Sequence, residues 1–293
     1  MLSILIPTYN YNCYPLVLEL KKQADSLFID YEILIQDDAS TMHQDNNQKI
    51  NKLSNCSYTV SPENYGRTKT RNDLAQKSSY DWLLFLDADV IPVHSDFIAK
   101  YITFYTTGYD IILGGLKYED TTPHFSEILR HKYGQNREVK SALQRNSNPY
   151  QYICSGNFLI QKSVFLKTNF NKDQNLYGMD VFFSYQLYRH QSKILHIENP
   201  VYHLGLETNI IFFEKSLAAV INRKKLYAEF TEIEQISPLI KTAIKIKTSN
   251  LEPIFIYSFK IVAPLLKKMI LRKNPNLLCF DIYRLGYYCS TNC

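Results

Sequence analysis

The chain has 293 residues and a formal net charge of +5, from 33 basic and 28 acidic side chains. A charge this small excludes a dedicated binder of nucleic acid or another polyanion on charge alone. Hydrophobic residues make up 45% of the chain and charged residues 21%. Because this is the balance of a folded globular protein, disorder is excluded as well.

The charge is unevenly distributed along the chain. Residues 1–213 carry 20 basic and 22 acidic side chains, whereas residues 214–293 carry 13 and 6. The length is near twice the roughly 150 residues of a typical domain. Together these features predict a larger domain over residues 1–210 and a smaller, basic and helical extension over residues 211–293.

The first apolar run ends at Pro7 and no basic residue precedes it, so it predicts a strand rather than a secretory signal. No stretch reaches the roughly 20 apolar residues that cross a bilayer. The six cysteines form no CxxC pair, so neither a zinc site nor a disulfide framework is indicated. The sequence thus predicts a cytoplasmic protein with reduced cysteines.

Buried strands alternate with helices through the first part of the chain. The predicted strands are Leu2–Ile6, Tyr31–Gln36, Thr59–Val60, Trp82–Leu86 and Asp110–Leu113, and the predicted helices are Leu16–Phe28 and Thr68–Lys77. This alternation predicts an α/β fold with a mostly parallel sheet that helices cover on both faces.

The pattern changes in the second half. Residues Tyr118–Asn148 are polar and irregular, which fits either a loop over a site or a solvated helical excursion. Tyr152–Ile160 predicts a strand interrupted by a glycine. Met179 and Asp180 open a predicted helix, and Val201–His203 forms a further short strand. From Phe212 onward the pattern is basic and helical.

Polar clusters follow three of the predicted strands: Thr8–Asn10, Asp37–Asp38, and Asp87 with Asp89. Ligands of parallel α/β sheets bind outside the carboxyl ends of the strands. Turns at strand ends also favour Asp and Asn for structural reasons, which explains any single cluster equally well. Three clusters at one edge favour a binding site.

Six short motifs follow one another in the chain: Pro7-Thr8-Tyr9-Asn10, Asp37-Asp38-Ala39-Ser40, Asn64-Tyr65-Gly66 with Arg71-Asn72, Leu86-Asp87-Ala88-Asp89, Gly178-Met179-Asp180, and His203. In this order they resemble the family 2 glycosyltransferases of bacterial type. The resemblance covers about Met1–Gly205. It implies the GT-A fold, a Rossmann-like nucleotide-diphospho-sugar transferase architecture, followed here by the helical C-terminal extension.

The resemblance implies a nucleotide-sugar site made of Pro7, Thr8, Tyr9, Asp38, Arg71, Asp87, Ala88 and Asp89. Within the Asp-X-Asp motif, both carboxylates would point to one side of an extended strand end. A divalent cation offsets the charge of a diphosphate, and Mn²⁺ and Mg²⁺ prefer oxygen ligands. The resemblance assigns Asp89 and His203 as ligands of this metal and Asp87 to the ribose or a metal-bound water.

Several of these assignments have alternatives. Asp37, unlike Asp38, is expected to cap or brace the loop. Arg67 competes with Arg71 for the place near the nucleotide, and Arg71 could instead form a salt bridge on the helix surface. A single histidine such as His203 is more often structural than a metal ligand.

The resemblance implies that Asp180 is the catalytic base that takes the proton of the acceptor hydroxyl. The family motif is usually Glu-Asp, and Met179 replaces the glutamate here. A helix N-cap is the alternative role for Asp180. The strand residues Ser155, Gly156 and Asn157 match the side of the acceptor or diphosphate, although a β-bulge explains the glycine equally well.

The resemblance therefore implies an inverting, metal-dependent glycosyltransferase that uses a nucleotide-sugar, most simply a UDP-sugar, and acts on a saccharide or lipid-linked saccharide in bacterial surface polysaccharide assembly. A second hypothesis is a catalytically weak domain that binds a nucleotide-sugar or an assembly partner. A nucleotidyltransferase or a dinucleotide dehydrogenase is disfavoured because no glycine-rich loop follows Ile6.

Residues 254–273 have the pattern of a basic amphipathic helix. In a helix, Lys260, Lys267 and Lys268 fall within an arc of about 100°, and Pro264 is expected to kink or divide it. One interpretation is peripheral contact with the inner face of a membrane. The other is a helix packed on the catalytic domain with its lysines in water.

Overall fold

The computed structural model describes residues 1–121, 123–170, 177–227 and 230–291. Its strands are β1 (Leu2–Thr8), β2 (Tyr31–Asp37), β3 (Cys56–Val60), β4 (Trp82–Leu86), β5 (Val90–Pro92), β6 (Ile111–Leu113), β7 (Leu116–Lys117), β8 (Asn157–Gln161), β9 (Ile194–His196) and β10 (Val201–His203). Its α-helices are α1 (Tyr14–Asp25), α2 (Gln44–Asn47), α3 (Arg67–Lys77), α4 (Phe97–Ile102), α5 (Ile128–Tyr133), α6 (Ala142–Asn146), α7 (Lys162–Thr168), α8 (Asp180–Arg189), α9 (Asn209–Tyr227), α10 (Pro238–Thr248), α11 (Glu252–Ile270) and α12 (Leu277–Ser290). Short 3₁₀ turns span Gln48–Lys52, Pro149–Gln151 and Ile233–Gln235, and a π-helical turn spans Gly134–Glu138.

The main sheet has the strand order β3-β2-β1-β4-β8-β6-β9. All neighbouring pairs are parallel except those of β8, which runs antiparallel to both β4 and β6. Every residue of β1 is buried, as expected for the centre of a sheet covered on both faces. The prediction of a mostly parallel α/β sheet is confirmed.

The chain leaves β1 towards β2 and β3 on one side and reaches β4 on the other side. The carboxyl ends of β1, β2 and β4 therefore meet where the strand order reverses, the usual place for a ligand in such sheets. A second sheet, β5-β10-β7, follows directly after this point and carries His203 at the end of β10.

Two local predictions were wrong. Asp87-Ala88-Asp89 forms a turn between β4 and β5 rather than an extended strand end. The strand predicted from Tyr152 begins only at Asn157, where pairing with β4 starts at Leu86. Of the two effects expected of Pro264, a kink or a division, division of the helix is ruled out because α11 continues through it. The region Tyr118–Asn148 contains α5 and α6, with Thr122 outside the described residues.

The chain packs as two compact units. The first comprises Met1–Glu119, Val139–Asn175 and Gln186–Gly205, and the second comprises Asp120–Glu138, Leu176–Tyr185 and Leu206–Cys293. The core of the first unit is aliphatic and centres on β1, β2 and β4. The core of the second unit is aromatic, with Phe212, Phe213, Phe259 and Phe280. The division at residue 210 remains a prediction.

The five cysteines among the described residues are free, and Cys293 lies outside those residues. No helix of the described part of the chain combines the length and the apolar character needed to span a bilayer.

Candidate active site

Asp37, at the end of β2, stabilises the loop that follows it. Its Oδ1 accepts the Ser40 N–H at 2.7 Å, and its Oδ2 accepts the Tyr58 hydroxyl at 2.5 Å. The side chain is completely buried. Asp37 thus braces the loop, as expected.

Asp38 organises the approach to α3. Its two carboxylate oxygens accept the backbone N–H groups of Tyr65 and Gly66, each at 2.8 Å. Gly66 has φ +87°, a conformation that favours glycine. Asp38 therefore fixes the segment from which α3 starts, and α3 carries Arg67 and Arg71.

Asp87, directly after β4, is held by two arginines. Arg71 Nη2 lies 2.6 Å from Asp87 Oδ1 and donates also to the Ser155 carbonyl at 2.6 Å. Arg67 Nη1 lies 3.7 Å from Asp87 Oδ2. Arg71 is only 6% exposed, so its partner is a carboxylate of the sheet edge rather than one on the helix surface. These contacts fix the orientation of the Asp87 carboxylate.

The segment before β8 packs closely against Asp87. A Cβ at Gly156 would lie 2.8 Å from Asp87 Oδ2, and the Gly156 carbonyl accepts the Asp87 N–H at 3.2 Å. The next residue, Asn157, is buried with its amide engaged: Tyr101 donates to its Oδ1, and its Nδ2 donates to the carbonyls of Gly115 and Asn199. The glycine permits this approach, and the asparagine joins three neighbouring segments.

Asp89 and His203 lie together beyond the turn. Asp89 Oδ2 is 3.5 Å from His203 Nε2. Burial raises the pKa of Asp89, and the nearby His203 opposes this rise. A Cβ at Gly205 would lie only 2.1 Å from Asp89 Oδ2, so the backbone there passes directly along the carboxylate. The carboxylate is therefore held in a confined and partly desolvated position.

Two tyrosines complete these surroundings. The Tyr118 ring lies 5.5 Å from the His203 ring between centroids. Burial and the charge of Asp89 raise the pKa of Tyr11, so its hydroxyl keeps its proton near the carboxylate. Tyr11, Tyr118 and Gly205 are absent from the predicted site. Each of them lies near Asp89 or His203, a residue 78 or more positions away in the sequence. No local sequence pattern therefore indicates them.

The donor set fits a divalent metal ion. Two ligand atoms that each lie about 2.1 Å from an ion are separated by about 3 to 3.5 Å, which matches the Asp89 and His203 pair. His203 Nδ1 is buried and has no hydrogen-bond partner among the described residues. Within those residues no three His, Cys, Asp or Glu side chains form a metal-binding group. Asp89 and His203 would thus supply two ligands from the described part of the chain, and water or substrate oxygens would complete the coordination.

The other predicted site residues are placed as follows. Pro7 and Thr8 are buried at the end of β1, and Tyr9 is 53% exposed. Ala88 is buried within the turn. Asp180 is the first residue of α8 and belongs, with the buried Met179, to the second unit.

Comparison with known proteins supports the assignment of the fold. The model of the family described as "Glycosyl transferase family 2" matches residues 3–168. A search of the curated proteins found no match.

Three solved structures illustrate the shared fold. Mannosyltransferase PcManGT from Pyrobaculum calidifontis, in complex with GDP-Man and Mn²⁺, is 11% identical with a TM-score of 0.60, over 98% of this chain and 85% of that chain. S. aureus TarS 1-349, in complex with UDP-GlcNAc, is 18% identical with a TM-score of 0.51, over 97% and 89% of the two chains. Glucosyl-3-phosphoglycerate synthase from Mycobacterium tuberculosis, in complex with Mn²⁺, UDP and glucosyl-3-phosphoglycerate, is 13% identical with a TM-score of 0.50, over 76% and 78%.

Identities this low establish the fold alone, whereas the family model spans more than half of the sequence. The strand order and the carboxylates after β4 agree with that match. This chain belongs to glycosyl transferase family 2 and is a glycosyltransferase of the GT-A fold.

Proposed function

We propose that the chain is an inverting, metal-dependent glycosyltransferase that moves a sugar from a nucleotide-sugar, most simply a UDP-sugar, to a saccharide hydroxyl. The observation that carries the proposal is the Asp89 and His203 pair, 3.5 Å apart beside Asp87 at the carboxyl edge of the sheet. Similar solved structures contain Mn²⁺ with GDP-Man or with UDP, and UDP-GlcNAc.

Mn²⁺ or Mg²⁺ bound by Asp89 and His203 would neutralise charge on the departing nucleoside diphosphate. Asp87, held by Arg71, would accept hydrogen bonds from the ribose. Asp38 would receive the base N–H with the lone pairs that Tyr65 and Gly66 leave available. The remaining residues of the proposed donor site line the base and sugar: Pro7, Thr8, Tyr9 and Ala88.

Asp180 is proposed as the catalytic base. Its carboxylate would take the proton of the acceptor hydroxyl while the oxygen attacks the anomeric carbon opposite the leaving diphosphate, which inverts the configuration. Ser155 and Gly156 are proposed to lie on the acceptor or diphosphate side, with Asn157 behind them. The proposed acceptor is a saccharide or lipid-linked saccharide of bacterial surface polysaccharide assembly, met in the cytoplasm at the inner face of the membrane.

A second candidate is a domain with weak activity that binds a nucleotide-sugar or an assembly partner. Met179 favours it, because a buried apolar side chain stands where the family motif usually has a glutamate. The two candidates share the donor site and differ in turnover.

Thermal unfolding with UDP-, GDP- and dTDP-sugars, with and without Mn²⁺, tests the donor site. A ligand at 100 times its Kd stabilises the folded state by about 2.7 kcal/mol, so the matching donor should raise Tm by several degrees and more so with Mn²⁺. Asp89→Ala should abolish the Mn²⁺-dependent part of the shift. Asp96→Ala, at an exposed carboxylate paired with Lys100, is the control. If no nucleotide-sugar raises Tm, the proposed donor site is wrong.

Turnover then separates the two candidates. With the stabilising donor, release of the nucleoside diphosphate is measured for the wild type and for Asp180→Asn. The enzyme proposal expects turnover in the wild type and a loss of about 100-fold or more in the variant, because a general base contributes about 10²–10⁴-fold. Donor binding without turnover in the wild type would favour the weak domain, and an unchanged rate in the variant would contradict the role of Asp180.

A further inference from the structure

Helix α11 buries one side in the aromatic core of the second unit and leaves apolar side chains on the other. Phe259, Leu266 and Ile270 belong to that core. The opposite side carries four large apolar side chains that are 59 to 69% exposed, here called the apolar row: Ile254, Tyr257, Ile261 and Leu265.

The apolar row is continuous along the helix. Its members are three, four and four positions apart, so they share one face over about 16 Å. Single exposed apolar residues are common, but a contiguous patch of this kind marks an interaction surface. We therefore expect another molecule to bind to the apolar row.

Basic side chains accompany the row. Lys260 follows Tyr257 by three positions and Lys268 follows Leu265 by three positions, so each lies on the same side of the helix as its neighbour in the row. Both are exposed, and no ion pair among the described residues includes either of them. Residues 250–273 contain five basic residues and a single acidic one, Glu252. The surface is thus apolar with an uncompensated positive border.

We propose that the apolar row docks on the surface of an anionic lipid bilayer, with Ile254, Ile261 and Leu265 among the acyl chains. Tyr257 supplies an aromatic ring with a polar end, which suits the interface. Lys260 and Lys268 reach lipid phosphates while their alkyl stems lie along the apolar boundary. Helix α11 lies in the plane of the interface and does not cross it.

A second copy of the chain is a poorer occupant. The row contributes four side chains, whereas a stable interface takes about 20 to 30 residues and roughly 800 Å² from each partner. A two-fold contact centred on the row would also bring the lysines of both copies together, and like charges oppose such a contact. Neither objection applies to an anionic bilayer, because its charge is complementary to the lysines and a single amphipathic helix is enough to bind its surface.

Sedimentation of the full chain with vesicles tests the proposal. Phosphatidylcholine vesicles are compared with vesicles that also contain phosphatidylglycerol, and we expect binding to the second kind, weakened by salt. Lys260→Gln with Lys268→Gln should weaken binding about 25-fold, from roughly a fivefold effect for each basic residue. Ile254→Ser with Ile261→Ser and Leu265→Ser should weaken it at least about 100-fold, because each exchange removes several buried carbons.

The matched control is Leu143→Ser, at a leucine that is 84% exposed on α6, and it should bind vesicles as the wild type does. Circular dichroism of each variant shows whether it has folded; the exchanged side chains are exposed, so folding should be retained. Failure of the wild type to sediment with anionic vesicles, or equal binding by the apolar-row variant, would overturn the proposal. A dimer in light scattering that the apolar-row variant abolishes would assign the row to a second copy instead.

Discussion

Gly205 is the position where one methyl group should disturb the site most. A Cβ there would lie 2.1 Å from Asp89 Oδ2, 2.9 Å from its Cγ and 3.0 Å from its Cβ. Rotation of the Asp89 carboxylate alone would not relieve this overlap, because Cγ and Cβ of Asp89 also lie close to the added carbon. We therefore expect Gly205→Ala to displace the Asp89 carboxylate and to weaken Mn²⁺ binding at least about tenfold, the scale seen when groups that orient metal ligands are lost.

Calorimetric titration of Mn²⁺ in the presence of the donor measures this effect, with Tm recorded for each variant. Leu204→Ala is the control, since that side chain is exposed and adjacent in sequence. It should bind Mn²⁺ as tightly as the wild type. An unchanged Mn²⁺ affinity in a folded Gly205→Ala variant would contradict the prediction that the added methyl group displaces a metal-binding carboxylate at Asp89.

The residue scale also shows where prediction from sequence ends. Residue types at strand ends indicated the Asp87 and Asp89 region, because a short apolar run and the acidic residues after it are local features. The partners of Asp87 are not local: Arg71 is 16 positions away, and Arg71 also reaches Ser155, which is 84 positions away. The contacts of Asp38 with the backbone of Tyr65 and Gly66 are likewise tertiary, 27 and 28 positions away, and no local pattern indicates them.

At the scale of elements, α6 is joined to β9 and to the loop after β6 by one buried arginine. Arg145 donates from Nη2 to the carbonyls of Ile197 and Gly114, and from Nε to His196 Nδ1 at 3.2 Å. His196 Nε2 lies 2.9 Å from the Pro149 carbonyl, so Nε2 carries the proton and Nδ1 is the acceptor. The neutral imidazole therefore completes this contact, and a protonated one would lose it.

This contact predicts a loss of stability in mild acid. Burial, with the Arg145 charge as a further cause, lowers the pKa of His196 to about 4, while the unfolded chain keeps a value near 6.5. The unfolded state then binds more protons between these values, so stability is complete above about pH 6.5 and falls as the pH drops towards 4. From pH 7.5 to pH 5.0 we expect a loss of about 2 kcal/mol in the free energy of unfolding from this residue.

Urea unfolding at the two pH values measures the loss. His196→Gln should lower stability at pH 7.5 but remove about 2 kcal/mol of the pH dependence. His94→Gln, at an exposed histidine, should keep the pH dependence of the wild type. If His196→Gln and the wild type lose equal stability on acidification, His196 is not the responsible group.

The predicted boundaries of a strand were correct where a continuous run of residues is buried. They were wrong where a turn determines the residue at which the strand begins. The short apolar run Trp82–Leu86 is β4 without a change of boundary. Tyr152–Cys154 has the same apolar character, but β8 starts at Asn157 because its pairing with β4 starts there. A strand needs a partner as well as a pattern, and the register of β8 is set by residues more than 70 positions earlier.

At the scale of the whole molecule, composition and packing divide the chain differently. The predicted division at residue 210 follows the change in charge along the sequence. The second unit also contains residues 120–138 and 176–185, which precede residue 210 in the sequence but pack with the C-terminal residues. A profile of composition along the sequence identifies only contiguous segments. It therefore cannot identify earlier segments that pack with the C-terminal helices.

A chain that ends at Gly205 should therefore fold poorly. Leu129 on α5 is fully buried in the cluster that contains Phe212 and Phe280, and its N–H donates to Asn209 Oδ1 at 2.8 Å. Arg130 lies over the Phe212 ring, 5.1 Å from its centroid. Removal of residues 206–293 leaves α5 without this core, and exposed apolar surface of this kind promotes aggregation.

Dye binding and light scattering compare residues 1–205 with the full chain. We expect the short chain to bind 1-anilinonaphthalene-8-sulfonate and to associate, whereas the full chain does neither. In the short chain, Leu129→Ser with Tyr133→Ser should reduce both signals, because these two side chains supply apolar surface of α5 that residues 206–293 otherwise cover. A monomeric short chain without dye binding would show instead that the C-terminal helices are a separable extension, and that α5 finds its stability within the first 205 residues.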